Sequence, residues 1–267
     1  MKLNTITLAL GMLLAVAGGE AQAQSQPVKN IVLVHGAFVG GAGWRPVYDR
    51  LTHDGYQVTL VQEPLTSFAE DVTATRRIID QQNGPVILVG HSYGGAIISE
   101  AGNDSKVAGL VYIAAHALDN GETEASNGKK FPNSAHPFNR SADGYLMIAP
   151  RYYHSDFAAD LPAAQADFEA HAQMPTNAAV FTANIADPAW KTRPSWYMVA
   201  KADKIISPDL ERLYARRAHS HTVEIAGASH SVYQSHPDDV VKLIEQAAQQ
   251  AKPENNPRKE AHENSGD

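Results

Sequence analysis

The sequence predicts an α/β fold: a six-stranded, mostly parallel sheet with helices on both faces and a helical cap inserted between strands four and five. Three observations carry this. Short β-branched apolar runs alternate with segments of helical periodicity, the pattern of strands buried on both faces and joined by crossover helices. One run leads straight into Gly90-His91-Ser92-Tyr93-Gly94-Gly95. The alternation breaks once, over residues 116–192.

Ile31-Val32-Leu33-Val34 reads as the first strand, and Trp44, Val47, Tyr48 and Leu51 then fall at helical spacing. Val58 to Val61 is the second strand. Ser67 with Glu70 forms a capping box for a helix whose apolar face is Phe68, Val72 and Ile79. Val86–Val89 is the third strand, Val107–Ala114 the fourth and Trp196–Ala200 the fifth. Ser207 and Pro208 read as N-cap and first-turn proline of the next helix. Thr222–Ala226 is the sixth strand. Pro237 opens the last helix, with Asp238 and Asp239 favourably set against its dipole and Val240, Ile244, Ala247 and Ala251 on its apolar face. Residues 24–115 and 193–251 thus form the core.

Residues 116–192 hold six prolines and many aromatics, too long a stretch for a structureless loop. They read as a mostly helical cap, with one helix started by Asp160 and Pro162 and running through Phe168 towards Met174. Polar residues from Lys252 to Asp267 lack periodicity and read as a disordered tail.

Composition narrows the function classes. The chain has 267 residues, 43% hydrophobic and 19% charged, enough for one sizeable core. Its 22 basic and 29 acidic residues leave a net charge of −7, which argues against a nucleic-acid partner. Cysteine is absent, so disulfides, a thiol nucleophile and thiolate metal sites are excluded. No segment offers the roughly 20 apolar residues of a membrane span. At the N-terminus, Lys2, the apolar run Ile6–Ala17 and Ala21-Gln22-Ala23 read as a secretory signal cleaved after Ala23. The expectation is a periplasmic or secreted protein without a lipid anchor.

The chemistry centres on Gly90-His91-Ser92-Tyr93-Gly94. A Ser on a strained strand-to-helix turn, flanked by glycines that let the backbone approach closely, exposes its hydroxyl as a nucleophile. It needs a base, an orienting acid and oxyanion donors. Such groups collect at the carboxyl ends of parallel strands. His230 follows the sixth strand and is the candidate base. Asp203 follows the fifth and is the candidate acid, with Asp119, after the fourth, as competitor. The loop His35-Gly36-Ala37-Phe38 follows the first strand, so the Ala37 and Tyr93 amides are the candidate oxyanion donors. Phe38 and His91 are the candidate substrate contacts, and His35 reads as a structural hydrogen-bonding residue. His219-x-His221 reads as solvated surface, so no metal is expected, and no cofactor.

With Val-Leu-Val-His-Gly-Ala at 32–37, Gly-His-Ser-Tyr-Gly-Gly, Ala-Asp-Lys at 202–204 and Gly-Ala-Ser-His at 227–230, the chain resembles the α/β-hydrolase superfamily from Asn30 to about Ala251. Within it, the chain looks like an exported bacterial member of the small branch that holds plant methyl esterases and hydroxynitrile lyases. The resemblance implies a Ser92–His230–Asp203 triad that works through an acyl-enzyme on small apolar or aryl esters. The lyases have Thr after the oxyanion-loop His and Lys after the base His. Gly36 and Ser231 stand there in this chain and favour hydrolysis. A hydroxynitrile-lyase-like or carbon–carbon bond hydrolase, and a non-catalytic small-molecule binding protein that keeps the triad, are the alternatives.

Overall fold

The computed structural model describes residues 26–251; the expected signal at 1–23 and tail at 252–267 lie outside the described residues. The chain runs β1 (Asn30–Val34), α1 (Arg45–His53), β2 (Gln57–Leu60), α2 (Phe68–Asp80), β3 (Val86–Ser92), α3 (Gly94–Ala101) and β4 (Val107–Ala115). The intervening segment carries α4 (Glu124–Lys130), β5 (Asn139–Arg140), β6 (Tyr145–Met147), α5 (Pro150–Asp156), α6 (Ala163–His171) and β7 (Thr176–Asn177). The chain returns through β8 (Ser195–Ala200), α7 (Pro208–Arg217), β9 (His221–Ile225), α8 (Val232–Ser235) and α9 (Pro237–Gln250).

Six strands form one parallel sheet in the order β2–β1–β3–β4–β8–β9. Side-chain alternation splits the apolar residues between two layers, which is why β1, β3, β4 and β8 need apolar residues throughout. Val32, Val34 and Leu88 pack with Val72 and Ile79 of α2, Ile97 of α3 and Leu210 of α7. Ile31, Leu33 and Val89 pack on the opposite face with Val47 and Leu51 of α1 and Val240 and Ile244 of α9. The strand order reverses between β1 and β3, so the loops after these strands diverge and leave a crevice above the sheet.

Local signals hold with some corrections. The Ser67 hydroxyl accepts the Glu70 amide at 3.3 Å, but the Glu70 carboxylate takes the Thr66 and Ser67 hydroxyls rather than the Ser67 amide, so the capping box is half made. Pro208 does open α7, yet the Ser207 side chain makes no cap bond.

The segment between β4 and β8 is less helical than expected. It contains a small antiparallel sheet, β5–β6–β7, which strands of two or three residues do not announce by periodicity. Its tight turn is closed by the Ser141 hydroxyl, which accepts the Tyr145 amide at 3.0 Å, and by Gly144 at φ +93°. Asp160 does not cap α6. Its carboxylate turns to Ser229, accepting the amide at 3.1 Å and also the hydroxyl.

Leu33 sits fully buried in β1, between β2 and β3. Leu33→Ala is expected to destabilise the fold by about 2–5 kcal/mol, the cost of a core cavity, read as a lowered denaturant midpoint at unchanged m-value.

Candidate active site

Ser92 ends β3 with φ +55°, a left-handed backbone that a non-glycine residue adopts only when its surroundings enforce it. The enforcement is steric. A Cβ on Gly90 would lie 2.6 Å from the Gly94 carbonyl oxygen, and one on Gly94 would lie 2.6 Å from that of His35. β3, the start of α3 and the loop after β1 are therefore in backbone contact, and the Ser92 hydroxyl is the group left facing the crevice.

Residues far apart in sequence meet there. The Ser92 hydroxyl lies 2.8 Å from His230 Nε2, and His230 Nδ1 lies 2.5 Å from Asp203 Oδ2. The other Asp203 oxygen accepts the Ile205 and Ile206 amides at 2.7 and 3.0 Å. The side chains of Asp203 and His230 are wholly buried. A carboxylate on Nδ1 fixes the tautomer, so Nδ1–H donates to Asp203 and Nε2 accepts from Ser92. Asp119, the competing acid, instead pairs with Lys191 at 2.5 Å.

The loop that carries His230 is anchored from the cap. Phe157 O accepts the Ser231 amide at 3.0 Å and the Ser229 hydroxyl at 3.2 Å, while Asp160 holds Ser229 as described. Both chain neighbours of His230 are thus tied to the segment between α5 and α6. Sequence reasoning had no signal for this, since an Asp two residues before Pro162 reads first as a helix cap.

Ala37 and Phe38 follow β1 beside Ser92. Among the described residues, neither the Ala37 nor the Tyr93 amide meets a hydrogen-bond acceptor, so both are free to bind a developing oxyanion. Gly36 comes so close that a Cβ on it would lie 2.7 Å from Ser92 Cβ. The loop is braced by His35, whose Nδ1 donates to Gly36 O at 2.8 Å and whose Nε2 lies 2.5 Å from buried Glu63. Burial opposes the charged imidazole, but Glu63 outweighs it and raises the His35 pKa. On the other side, the Tyr93 hydroxyl donates to Asp71 at 2.7 Å. Burial raises the Asp71 pKa to about 6, against the hydrogen bonds from Tyr93 and Leu65.

A chamber of about 280 Å³ opens over Ser92. Ala37 forms part of its wall, with Phe38, Phe131, Phe138, Phe157 and Phe181 giving it an apolar character. Phe38, at φ +69°, packs its ring on Phe138 and Phe181 at 5.0 and 6.0 Å. His91 is not part of the wall, contrary to expectation. It lies fully buried behind His230, between Trp44 and Tyr233, and its Nε2–H donates to His230 O at 2.9 Å. Burial, then the neighbouring His230, pushes its pKa well down and keeps it neutral. Its side chain projects from the strand on the face opposite the hydroxyl of the next residue, a consequence of strand alternation. The wall also includes His116 and Glu124, which sequence reasoning missed; neither lies in a motif.

His219 is exposed, and exposed His221 stacks on Trp196. No group of three or more metal-ligating side chains occurs among the described residues.

A strained Ser on a strand-to-helix turn, with a His and an Asp from the ends of later strands of the same parallel sheet, places the chain in a class of fold. It belongs to the alpha/beta hydrolase family, whose pattern matches residues 31–243. An alpha/beta hydrolase from Aspergillus novofumigatus, nvfD, is 25% identical over 244 residues, covering 83% of this chain and 97% of that protein. A putative chloroplastic methylesterase 15 of Arabidopsis thaliana is 29% identical over 159 residues, 46% of this chain and 36% of that protein. Polyneuridine aldehyde esterase has the same fold, with TM-score 0.69 and 17% identity over 82% of this chain and 99% of its own. So has a pyrethroid hydrolase from Sphingobium faniae JZ-2, with TM-score 0.68 and 22% identity over 84% and 98%. Relatives named esterases and hydrolases support hydrolase chemistry.

The closeness of Gly36 to Ser92 is testable. Gly36→Ala is expected to cost about 1–3 kcal/mol through overpacking and to slow covalent labelling of Ser92 by phenylmethylsulfonyl fluoride, read together by thermal melts and labelling rates. A variant with wild-type stability and labelling rate would show that the loop does not constrain Ser92.

Proposed function

We propose that the protein is a cofactor-independent serine esterase acting on small apolar or aryl carboxylic esters. The observation that carries this reading is the continuous array of Ser92 Oγ, His230 Nε2, His230 Nδ1 and Asp203 Oδ2 at 2.8 and 2.5 Å, opening into an aromatic-walled chamber.

In this reading Ser92 attacks the ester carbonyl as its proton passes to His230 Nε2. The carbonyl oxygen becomes an oxyanion between the Ala37 and Tyr93 amides. Collapse breaks the bond to the alkoxy oxygen, which leaves as the alcohol with the proton from His230. A water then gives a proton to His230 and adds to the acyl-enzyme. The second tetrahedral species expels Ser92, which recovers that proton, and the acid departs. Asp203 keeps the imidazole in the right tautomer and stabilises its charged form.

Cyanohydrin cleavage is disfavoured by the wall of the chamber. Its residues include no Lys or Arg to receive a departing cyanide. The position after His230 is the neutral, buried Ser231. Lys201 and Lys204 are exposed.

A panel of p-nitrophenyl, methyl and lactone substrates should show Ser92-dependent hydrolysis, with no cyanide released from mandelonitrile. Ser92→Ala should abolish turnover and labelling by phenylmethylsulfonyl fluoride. Asp203→Asn should lower turnover by ~10⁴, as in a serine-protease triad, and Asp119→Asn should have little effect. Ser92-dependent cyanide release comparable to ester turnover would replace the reading by a lyase. Intact ligand binding without turnover would replace it by a binding protein.

We also propose that the chain is exported to the periplasm or the medium. This rests on Lys2, the apolar run and Ala21-Gln22-Ala23. Mass spectrometry of exported protein should find Gln24 as the first residue; a cytoplasmic chain retaining Met1 would refute it.

A further inference from the structure

The aromatic chamber has one polar corner, made by His116 and Glu124. Glu124 is 8% exposed, and its Oε1 has no hydrogen-bond partner. Its Oε2 lies 3.3 Å from His116 Nε2. His116 Nδ1 lies 3.2 Å from the Tyr214 hydroxyl, which Asn127 Nδ2 meets at 3.1 Å. The same Asn127 nitrogen lies 2.9 Å from the Glu122 carboxylate, held bidentately by Arg217.

The protons along this chain can be placed by donor capacity alone. Glu122 is a carboxylate: burial works against its charge, but Arg217 holds it down at about 2. It therefore only accepts, and Asn127 Nδ2 is correctly the amide nitrogen. That nitrogen donates to the Tyr214 oxygen, so Tyr214 passes its own hydrogen to His116 Nδ1. His116 then carries its ring hydrogen on Nε2, facing Glu124. Burial pushes the Glu124 carboxyl well up, so it keeps its proton. Burial, then His230, pushes His116 down to about 3, so it stays neutral. With the His116 N–H facing Oε2, the acid hydrogen belongs on Oε1, the oxygen without a partner. A terminal carboxyl torsion is broad and roughly two-fold, so rotation can present that hydrogen to the chamber. The corner offers one uncommitted hydrogen-bond donor and nothing that welcomes a cation.

We propose that Glu124 is a substrate-binding residue, positioned by His116, that selects esters carrying a second acceptor oxygen (an ether, ketone or further carbonyl) in the half of the molecule that fills this chamber. This rests on the esterase reading and adds a substrate class to it. An unmet donor in an apolar wall is costly, and a ligand oxygen that meets it gains what a hydrocarbon of the same shape cannot.

The test compares kcat/KM for matched esters in which one CH₂ is replaced by an ether oxygen, in the acyl half and in the alkoxy half separately, and for analogues with an ammonium group there. In one of the two series the wild type should prefer the ether ester over its hydrocarbon isostere by roughly three- to tenfold, the worth of a buried neutral hydrogen bond, and the ammonium ester should be poorest. Glu124→Leu should bring the ether-to-hydrocarbon ratio close to one. Glu124→Gln, which keeps a donor, should retain the preference. Because a ratio is read, a general loss of turnover cancels.

Equal rates for ether and hydrocarbon esters in both series, or a wild-type preference for the ammonium ester, would overturn the inference even if Glu124→Leu fails to fold. So would a ratio that Glu124→Leu leaves unchanged. If no ester is turned over, the esterase reading fails by itself. The same ether and hydrocarbon pairs, titrated as ligands by calorimetry, then decide the polar corner separately.

Discussion

The structure depends on one backbone turn. Ser92 is held at φ +55°, a conformation that costs of order 1–3 kcal/mol for a residue with a side chain. It persists because β3 is buried on both faces, paired along its length with β1 and β4, and because Gly90 and Gly94 let three backbone segments touch. The parallel sheet supplies the rest of the arrangement. Its strand order reverses between β1 and β3, so the loop after β1 and the Ser92 turn meet at the floor of the crevice. β8 and β9, further along, end where Asp203 and His230 reach the same point. A sheet twisted and paired in this way brings four loops together without any of them being long.

The inserted segment is part of the site's construction as well as its cover. Phe157 both walls the chamber and, through its carbonyl, holds the residues either side of His230. Asp160 adds a charged acceptor to the same loop. His91 supports the His230 carbonyl from behind. The imidazole is therefore fixed by contacts to its ring from Asp203, to its own carbonyl from His91, and to its chain neighbours from the cap. Precise placement of a general base requires this kind of over-determination, since catalysis falls steeply with small displacements.

Much of this could be read from the sequence because the informative residues stand next to strands. Ser92, Asp203 and His230 each come at or just after the end of a strand, so the topology of a parallel sheet predicts their meeting before any contact is known. The central strands were recoverable because burial on both faces demands unbroken apolar runs, whereas the edge strands β2 and β9 are partly exposed and mix polar with apolar residues. The misses have a common physical origin. The strands of the small β5–β6–β7 sheet are too short for alternation to show. Asp160 and His116 act through contacts made only once the inserted segment packs on the core. His91 occupies a motif position next to the nucleophile, yet strand alternation sends its side chain to the opposite face. Adjacency in sequence suggested substrate, and period two decided otherwise.

Electrostatics explain how a dry site can contain several carboxyl groups and still carry one useful negative charge beside the imidazole. Glu211 is fully buried, accepts the Ala200 amide at 3.0 Å, and has Asp203 as its charged neighbour. Two carboxylates in contact in a low-dielectric interior cannot both be charged, so the proton goes to the one with fewer donors. Asp203 has three, from Ile205, Ile206 and His230. Glu211 has one from the backbone, and burial, then the charge on Asp203, pushes its pKa well up. Glu211 is thus the neutral acid beside the Asp203 carboxylate. Glu124 is kept neutral by burial alone. Within the Asp203–Glu211 pair, Asp203 is the carboxylate with the larger set of donors, and it is the one aligned with His230 Nδ1, where the positive charge of the proposed reaction would develop.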